Sequence, residues 1–221
     1  MTPVTDRSFN AKNELGWDDY NWDPSVVFTT DATAPHSPSN ILRFGYPTGF
    51  AGGRSPGSGH VGVPNYRVLY ESYWVRHSAN FVGHFTGINK HSYAWTGGAP
   101  IFVMEAEGAG TQTLHSRIAL QSSAGSDAWY TQNLAPSAVF TRGQWDYVEI
   151  VLTGNSAGAA DGMLDWYMNG VHVGHYTGLK WTSGATAWNQ FSLYPIWGGA
   201  GDVVPVNMYI DFDHYYVSGK N

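Results

Sequence analysis

Hydrophobic and polar positions alternate in short runs along most of the chain. Runs such as Ile101–Glu107 and Tyr147–Thr153 show the period of two expected of a β-strand. Clusters of Gly, Pro, Asn and Ser separate the runs, and helical spacing is almost absent, so the pattern predicts an all-β protein. The predicted strands are Ile41–Phe44, Arg67–Arg76, Phe81–Thr86, Ile101–Glu107, Thr113–Gln121, Ala128–Gln132, Tyr147–Thr153, Met163–Met168, Val171–Tyr176, Phe191–Tyr194 and Asn207–Val217.

Eleven short predicted strands without a predicted helix favour two antiparallel sheets packed as a jelly-roll β-sandwich. The dipeptide Asn169-Gly170 accepts the positive φ angles of a type I′ turn, so we expect a tight hairpin there. The length of 221 residues suits a single domain over residues 1–221. Within it, the stretch from Gly45 to Pro64 is rich in Gly, Pro and Ser and is expected to be a long surface loop.

Composition narrows the function classes. Only 13% of the residues are charged and the net charge is -6, which argues against a nucleic-acid binder. The absence of cysteine excludes disulfides, thiolate zinc sites and a cysteine nucleophile. No apolar run is long enough to span a membrane, and we expect an extracellular or cell-surface protein whose signal peptide has been removed.

The alternation also divides each predicted strand into two faces. Glu105 and Glu107 share one face of their strand, and His115, Arg117 and Gln121 share one face of the next. If the two strands are neighbours, these five side chains meet on one face of the sheet. We interpret the set as a concave binding site, with a solvated or salt-bridged surface as the alternative.

Other titratable residues suggest metal sites. Asp211 and Asp213 lie on one face of the last predicted strand and could hold a structural Ca²⁺ together with backbone carbonyls and Trp17–Asp19. Pairing with arginine or with solvent is the alternative. The spacing of His77, His84 and His91 matches no familiar zinc motif, so we interpret them as scattered loop residues.

Four segments carry a resemblance to a known fold family. RGQWDYVEIVLTGNSAGAADGMLDWYMNGV and MYIDFDHYYVSG resemble late strands of concanavalin A-like jelly rolls, which include laminin-G-like domains, polysaccharide lyases and glycosidases. ILRFGYPTGFAGG and LYESYWVRHSANFVGHFTGINK resemble uncharacterised bacterial secreted members. The resemblance implies the fold more firmly than an activity, because the family's catalytic motifs are incomplete here.

The incomplete motifs are those of two enzyme branches. Where a glucanase-like branch has Glu-x-Asp-x-Glu, this chain keeps only Glu105-Ala106-Glu107. Alginate-lyase-like members carry an Arg-x-Glu-x-Arg strand and a Gln-Ile/Val-His strand, and neither is intact in this chain. The nearest partial matches are His115-Ser116-Arg117 and Tyr130-Thr131-Gln132.

The sequence features agree with three alternative functions for the protein. The first is a non-catalytic, polysaccharide-binding jelly roll, because Trp and Tyr are abundant and can stack on sugars. Its candidate glycan contacts are Trp74, Arg76, Gln121, Trp129 and Glu149. Another is a structural or assembly protein of a surface layer or particle. The oligomeric state stays open under each of these interpretations.

The second function is an enzyme that acts at the same face. A polysaccharide lyase would use His115 and Tyr130 as acid and base, with Arg117 and Gln121 at the substrate carboxylate. An endo-glycosidase would use Glu105 and Glu107 instead.

Overall fold

A computed structural model describes residues 1–7, 9, 19–36, 40–97, 99–121 and 128–221. Within these ranges the chain forms strands, turns and loops but no helix. The strands are β1 (Thr2–Arg7), β2 (Asp19–Trp22), β3 (Val26–Thr29), β4 (Ile41–Tyr46), β5 (Gly57–Tyr66), β6 (Val68–His77), β7 (Lys90–Thr96), β8 (Ala99–Glu107), β9 (Leu114–Leu120), β10 (Ala128–Thr131), β11 (Val139–Phe140), β12 (Asp146–Thr153), β13 (Gly162–Met168), β14 (Val171–Leu179), β15 (Trp188–Leu193) and β16 (Met208–Lys220).

The strands pair into two 8-stranded antiparallel sheets. Sheet A has the order β14-β13-β12-β6-β16-β4-β3, and β1 pairs with β16 beside this path. Sheet B has the order β10-β9-β8-β7-β15-β5-β2, and β11 pairs with β9. This arrangement confirms the predicted jelly-roll β-sandwich.

The core lies between the sheets, and alternation decides which side chains enter it. In β12, Val148, Ile150 and Leu152 are fully buried, whereas Tyr147 and Glu149 lie on the outer face of sheet A. Each fully buried aliphatic side chain contributes about 1.5–3 kcal/mol of transfer free energy. Within the described residues, the largest fully buried side chains of the core are Trp166, Trp181, Trp188 and Trp197.

The tight hairpin at Asn169-Gly170 is confirmed. Asn169 and Gly170 have φ angles of 51° and 78°, as the turn requires. The Asn169 side chain accepts a hydrogen bond from the Tyr147 amide (2.8 Å) and donates one to Asp146 Oδ1 (2.9 Å). The turn therefore fixes the register of β12 as well as that of its own two strands.

Two predicted elements and the loop placement of two histidines were wrong. His77 ends β6 and His91 lies in β7, and their buried rings meet with 3.0 Å between the Nε2 atoms. The segment Phe81–Thr86 is a loop, because its amides bond to loop partners and to the buried Asn89 side chain, whose oxygen accepts from the His84 amide at 2.9 Å. The predicted surface loop from Gly45 to Pro64 is shorter, because Gly57–Tyr66 forms β5 between β15 and β2. This strand contains Gly57, Gly59 and Gly62, so it lacks the run of apolar residues by which the other strands were predicted. No helix in the described part of the chain is long and apolar enough to cross a membrane.

Candidate functional site

The predicted site residues divide between the two outer faces of the sandwich. Glu105, Glu107, His115, Arg117 and Trp129 lie on the outer side of sheet B. Trp74, Arg76, Glu149, Asp211 and Asp213 lie on the outer side of sheet A. The two outer faces point away from each other, so one glycan chain cannot bridge both sets across the sandwich. The candidate site residues, which were expected to bind glycan on one sheet face, are therefore divided between two faces.

The polar set on sheet B assembles as its strand pattern predicts. Glu105 lies opposite Arg117, and Glu107 lies opposite His115. Arg117 donates to Glu105 Oε2 from Nε (3.0 Å) and Nη2 (2.7 Å), and to Glu107 Oε1 from Nη1. Burial raises the pKa of Glu105, and the Arg117 guanidinium opposes that rise. Arg117 therefore pairs with both carboxylates, and a binding site on this face stays a prediction.

The concavity beside this network is small. Lys90, Glu105, Gln121 and Trp129 line a depression of about 140 Å³, which is less than the ~300 Å³ of a typical ligand pocket. Trp129 itself is 55% exposed. A single sugar ring could rest on it, but the depression does not enclose a chain.

Tyr130 lies apart from the other candidate catalytic residues. It pairs in register with Ile118, a core residue, and its ring packs 4.8 Å from that of Tyr176. His115 projects from the opposite side of the same sheet. Alternation along neighbouring strands thus separates the predicted acid–base pair, and the structure does not bring His115 and Tyr130 together.

The outer face of sheet A carries a denser set of aromatic and titratable side chains. Strand register arranges them in rows, and one row crosses five strands through His172, Tyr167, Glu149, Ser72 and Tyr216. Since neighbouring strands lie ~4.8 Å apart, the row spans about 19 Å. Ser72 is buried, so an extended polymer lying across the strands would contact the other four positions of the row.

A cluster of hydroxyl and carboxylate groups lies near the middle of this face. The Tyr70 hydroxyl donates to Glu149 Oε1 at 2.9 Å and lies 3.5 Å from the Tyr147 hydroxyl. The Trp74 ring lies 4.8 Å from the Tyr147 ring. Burial raises the pKa of Tyr70, and the hydrogen bonds to Tyr147 and Glu149 add to the rise. Tyr70 is therefore a protonated donor at neutral pH.

An ion-pair cluster closes one end of the face. The Asp211 carboxylate is fully buried and accepts from Arg43 Nε (2.7 Å) and Nη2 (2.9 Å) and from Arg76 Nη2 (2.7 Å). Arg76 also pairs with Asp31 and lies over the Trp145 ring at 4.6 Å. Asp211 thus takes the arginine-paired arrangement, which was the alternative to Ca²⁺.

The other members of the predicted calcium site are arranged differently. Asp213 Oδ2 accepts a hydrogen bond from the His36 amide at 2.8 Å. Trp17 and Asp18 of the N-terminal segment lie outside the described residues. The Ca²⁺ site stays a prediction.

Sequence reasoning missed a cluster at the edge of sheet A. Asp165 Oδ1 lies 2.9 Å from His172 Nε2 and 2.7 Å from His175 Nδ1. In a regular strand, residues 172 and 175 would point to opposite faces. The signal was the glycine inside the His-Val-Gly-His segment, because glycine within a strand marks bulges and close backbone approaches.

Comparisons with known proteins bear on the fold. No family model matches the sequence, and no curated protein matches it. An alginate lyase from a Chlorella virus has a similar structure, with a TM-score of 0.74, 16% identity, and coverage of 99% of this chain and 100% of that one. An alginate lyase in complex with alginate trisaccharide gives a TM-score of 0.72, 16% identity and coverage of 99% and 94%.

A third solved structure is similar over the same length. It is the endo-β-1,4-glucuronan lyase of the fungus Trichoderma reesei, with a TM-score of 0.65, 16% identity and coverage of 99% of this chain and 96% of that one. At this identity the likeness concerns the fold. The chain shares the jelly-roll β-sandwich of these polysaccharide lyases along nearly its whole length.

Proposed function

We propose that the protein is a polysaccharide lyase that cleaves a uronate-containing glycan on the outer face of sheet A. The observation that carries the proposal is the cluster of Tyr70, Tyr147 and Glu149, which places a proton acceptor beside two hydroxyl groups in the middle of a sheet face. Trp74 lies beside the cluster and offers a ring on which a sugar can stack. The fold shared with three polysaccharide lyases supports the same proposal.

The chemistry needed is a β-elimination. A base removes the proton on C5 of the uronate, the C4–O bond breaks, and a C4=C5 double bond forms. The leaving oxygen takes a proton from an acid, so no water is consumed. We assign the base to Glu149 and the acid to the hydroxyl pair, because Tyr70 lies 2.9 Å from Glu149 and the Tyr147 hydroxyl lies 3.5 Å from that of Tyr70.

The substrate carboxylate also needs a positive group, because proton removal from C5 leaves charge on it. Arg76 lies two residues beyond Trp74 in β6, yet it is committed to the buried Asp211. Lys220 is exposed on the same face and pairs in register with Val68, two residues from Tyr70, so it is the cation that we assign to the substrate carboxylate.

A direct test is to incubate the protein with alginate, glucuronan and a neutral glucan while recording the absorbance of unsaturated uronate. Each of Tyr70→Phe, Tyr147→Phe and Glu149→Gln should lower kcat/KM by about 10²–10⁴-fold without changing the melting temperature much. His115→Ala, on the other sheet, is the matched control and should leave the rate unchanged. Loss of activity in His115→Ala, with full activity in the three sheet A variants, would move the site to sheet B and refute the proposal.

Glycan binding without catalysis is the second candidate. The net charge of -6 and the carboxylates on the outer face of sheet A favour a neutral glycan over a uronate. Affinity electrophoresis would then show retardation by a neutral polysaccharide that is lost in Trp74→Ala, with no product from any polymer. Either activity acts on a polymer too large to enter a cell, so we propose an extracellular location.

A further inference from the structure

We propose that Asp165, His172 and His175 bind a divalent transition-metal ion at the edge of sheet A. One ligand atom from each residue lies within 4.8 Å of the other two. Two imidazoles and one carboxylate form a ligand set that suits zinc, cobalt, nickel or iron. Calcium prefers oxygen ligands, so this site is chemically distinct from the one predicted at Asp211 and Asp213.

A β-bulge brings the two histidines to the same face. Trp166 pairs with Gly174 and Tyr167 pairs with His172, so Val173 is an extra residue in β14. Val173 is fully buried, whereas His172 and His175 both remain on the outer face. Bulges recur beside functional sites because they redirect side chains in this way.

The bulge and its histidines are held by contacts outside the strand. Asn133 Nδ2 donates to the His175 carbonyl at 2.7 Å, and the His175 amide donates back to Asn133 Oδ1 at 2.9 Å. The Leu134 amide donates to the Val173 carbonyl at 3.1 Å. The Tyr167 ring stacks on His172 with 4.4 Å between centroids. Supporting contacts of this kind orient metal ligands before the ion arrives.

The distances suit one ion after a small adjustment. Bonds of ~2.0–2.1 Å in a tetrahedral site put neighbouring ligand atoms roughly 3.3–3.4 Å apart. The Asp165–His172 and Asp165–His175 distances are 2.9 and 2.7 Å, so each pair needs to open by only about half an ångström. The His172 and His175 side chains are 35% and 40% exposed, which leaves the solvent side open for water or a substrate oxygen.

The position of the site gives the ion a role. Tyr167 stacks on His172 and pairs in register with Glu149, so the site shares its sheet face with the hydroxyl–carboxylate cluster. His172 lies two strands, or about 10 Å, from Glu149, so a divalent ion there adds positive charge that can hold a neighbouring uronate of the same polymer. This role rests on the proposed lyase function, whereas the binding of the ion does not.

The test measures metal binding directly. Chelator-treated protein is titrated with Zn²⁺ by calorimetry and with Co²⁺ by visible absorption, without any glycan. We expect one saturable site per chain and a cobalt spectrum of nitrogen and oxygen ligands. His172→Ala, His175→Ala and Asp165→Asn should each weaken binding by about a hundredfold or more, since even supporting residues contribute about 10–100-fold.

Two further variants keep the test decisive. His115→Ala removes a histidine from the other sheet and should bind Zn²⁺ like the parent chain. Asn133→Ala keeps all three ligand residues but removes the side chain that holds the His175 backbone, and it should weaken binding by about tenfold while the protein stays folded. Absence of saturable binding in the parent chain, or unchanged binding in folded His172→Ala and His175→Ala, would overturn the inference. Binding without lyase activity would support it and remove the proposed function, and activity without binding would do the reverse.

Discussion

Gly174→Ala is the change that tests most directly how the bulge in β14 is built. A Cβ atom at position 174 would lie 2.0 Å from Cη2 and 2.1 Å from Cζ3 of the Trp166 ring. Ordinary carbon–carbon contacts are ~3.5–4.0 Å, so the ring or the strand must move by about 1.5 Å. The ring is fully buried, donates from Nε1 to Ser116 Oγ at 3.0 Å and stacks on Tyr176. The strand must therefore yield.

The cost follows from this geometry. Overpacking a close-packed core typically costs about 1–3 kcal/mol, and a forced shift of this size belongs at the upper end. For a domain of this length about 1 kcal/mol changes the melting temperature by roughly 2–4 °C, so we expect a decrease of about 6–12 °C. Differential scanning calorimetry measures the decrease. Zinc titration of the folded variant should also show weaker binding, because Gly174 lies between the two histidines.

Gly184→Ala provides the control. A Cβ atom there meets nothing within 4 Å, so its melting temperature should equal that of the parent chain. A melting temperature for Gly174→Ala equal to that of Gly184→Ala would refute the argument, because it would mean that the contact with Trp166 does not constrain the strand.

Further predictions concern the buried charges. Asp211→Ala should lower the free energy of unfolding in urea by about 3–5 kcal/mol, because two guanidinium groups lose a buried partner. Asp161→Ala removes an exposed carboxylate that pairs with Arg67 and accepts from Ser156, and it should lower this free energy much less. Burial raises the pKa of Glu71 well above its usual value, so the folded state keeps a proton that the unfolded chain releases as the pH rises above ~4.3. Glu71→Gln should therefore raise the melting temperature at pH 8 and change it little near pH 4, and an equal effect at both pH values would contradict this. Burial lowers the pKa of His91 to about 3, so the stability present at pH 7 should be lost progressively as the pH falls from ~6.5 towards that value. His91→Gln should flatten the pH profile of stability in that window, and an unchanged profile would contradict this.

Strand alternation was sufficient to predict an all-β sandwich and the two faces of its regular strands. The alternation in β12 placed Val148, Ile150 and Leu152 in the core, and the parity of β8 and β9 placed Glu105 beside Arg117. These inferences hold because a regular strand has a fixed period and needs no information about its tertiary partners.

The location of the candidate site could not be predicted in the same way. Parity shows that Glu149 and Glu105 both point outward but not that they point outward from different sheets, because strand order depends on long-range pairing. The cluster at Asp165 depends on a bulge, and the bulge depends on the place that the Trp166 ring takes in the core. Local sequence contains the glycine that permits this packing but not the packing itself.

The loop that holds the bulge has a second effect on the molecule. Among the strands of the described residues, β14 is the last on its side of sheet A, and such a strand can offer amides and carbonyls to strands of other chains. Asn133 and Leu134 occupy backbone groups of β14 that would otherwise recruit such a strand. We therefore expect Asn133 and Leu134 to affect both the solubility of the protein and the geometry of the proposed metal ligands. We expect a substitution in this segment to displace the imidazoles of His172 and His175 and also to open the edge of β14 to pairing with another chain.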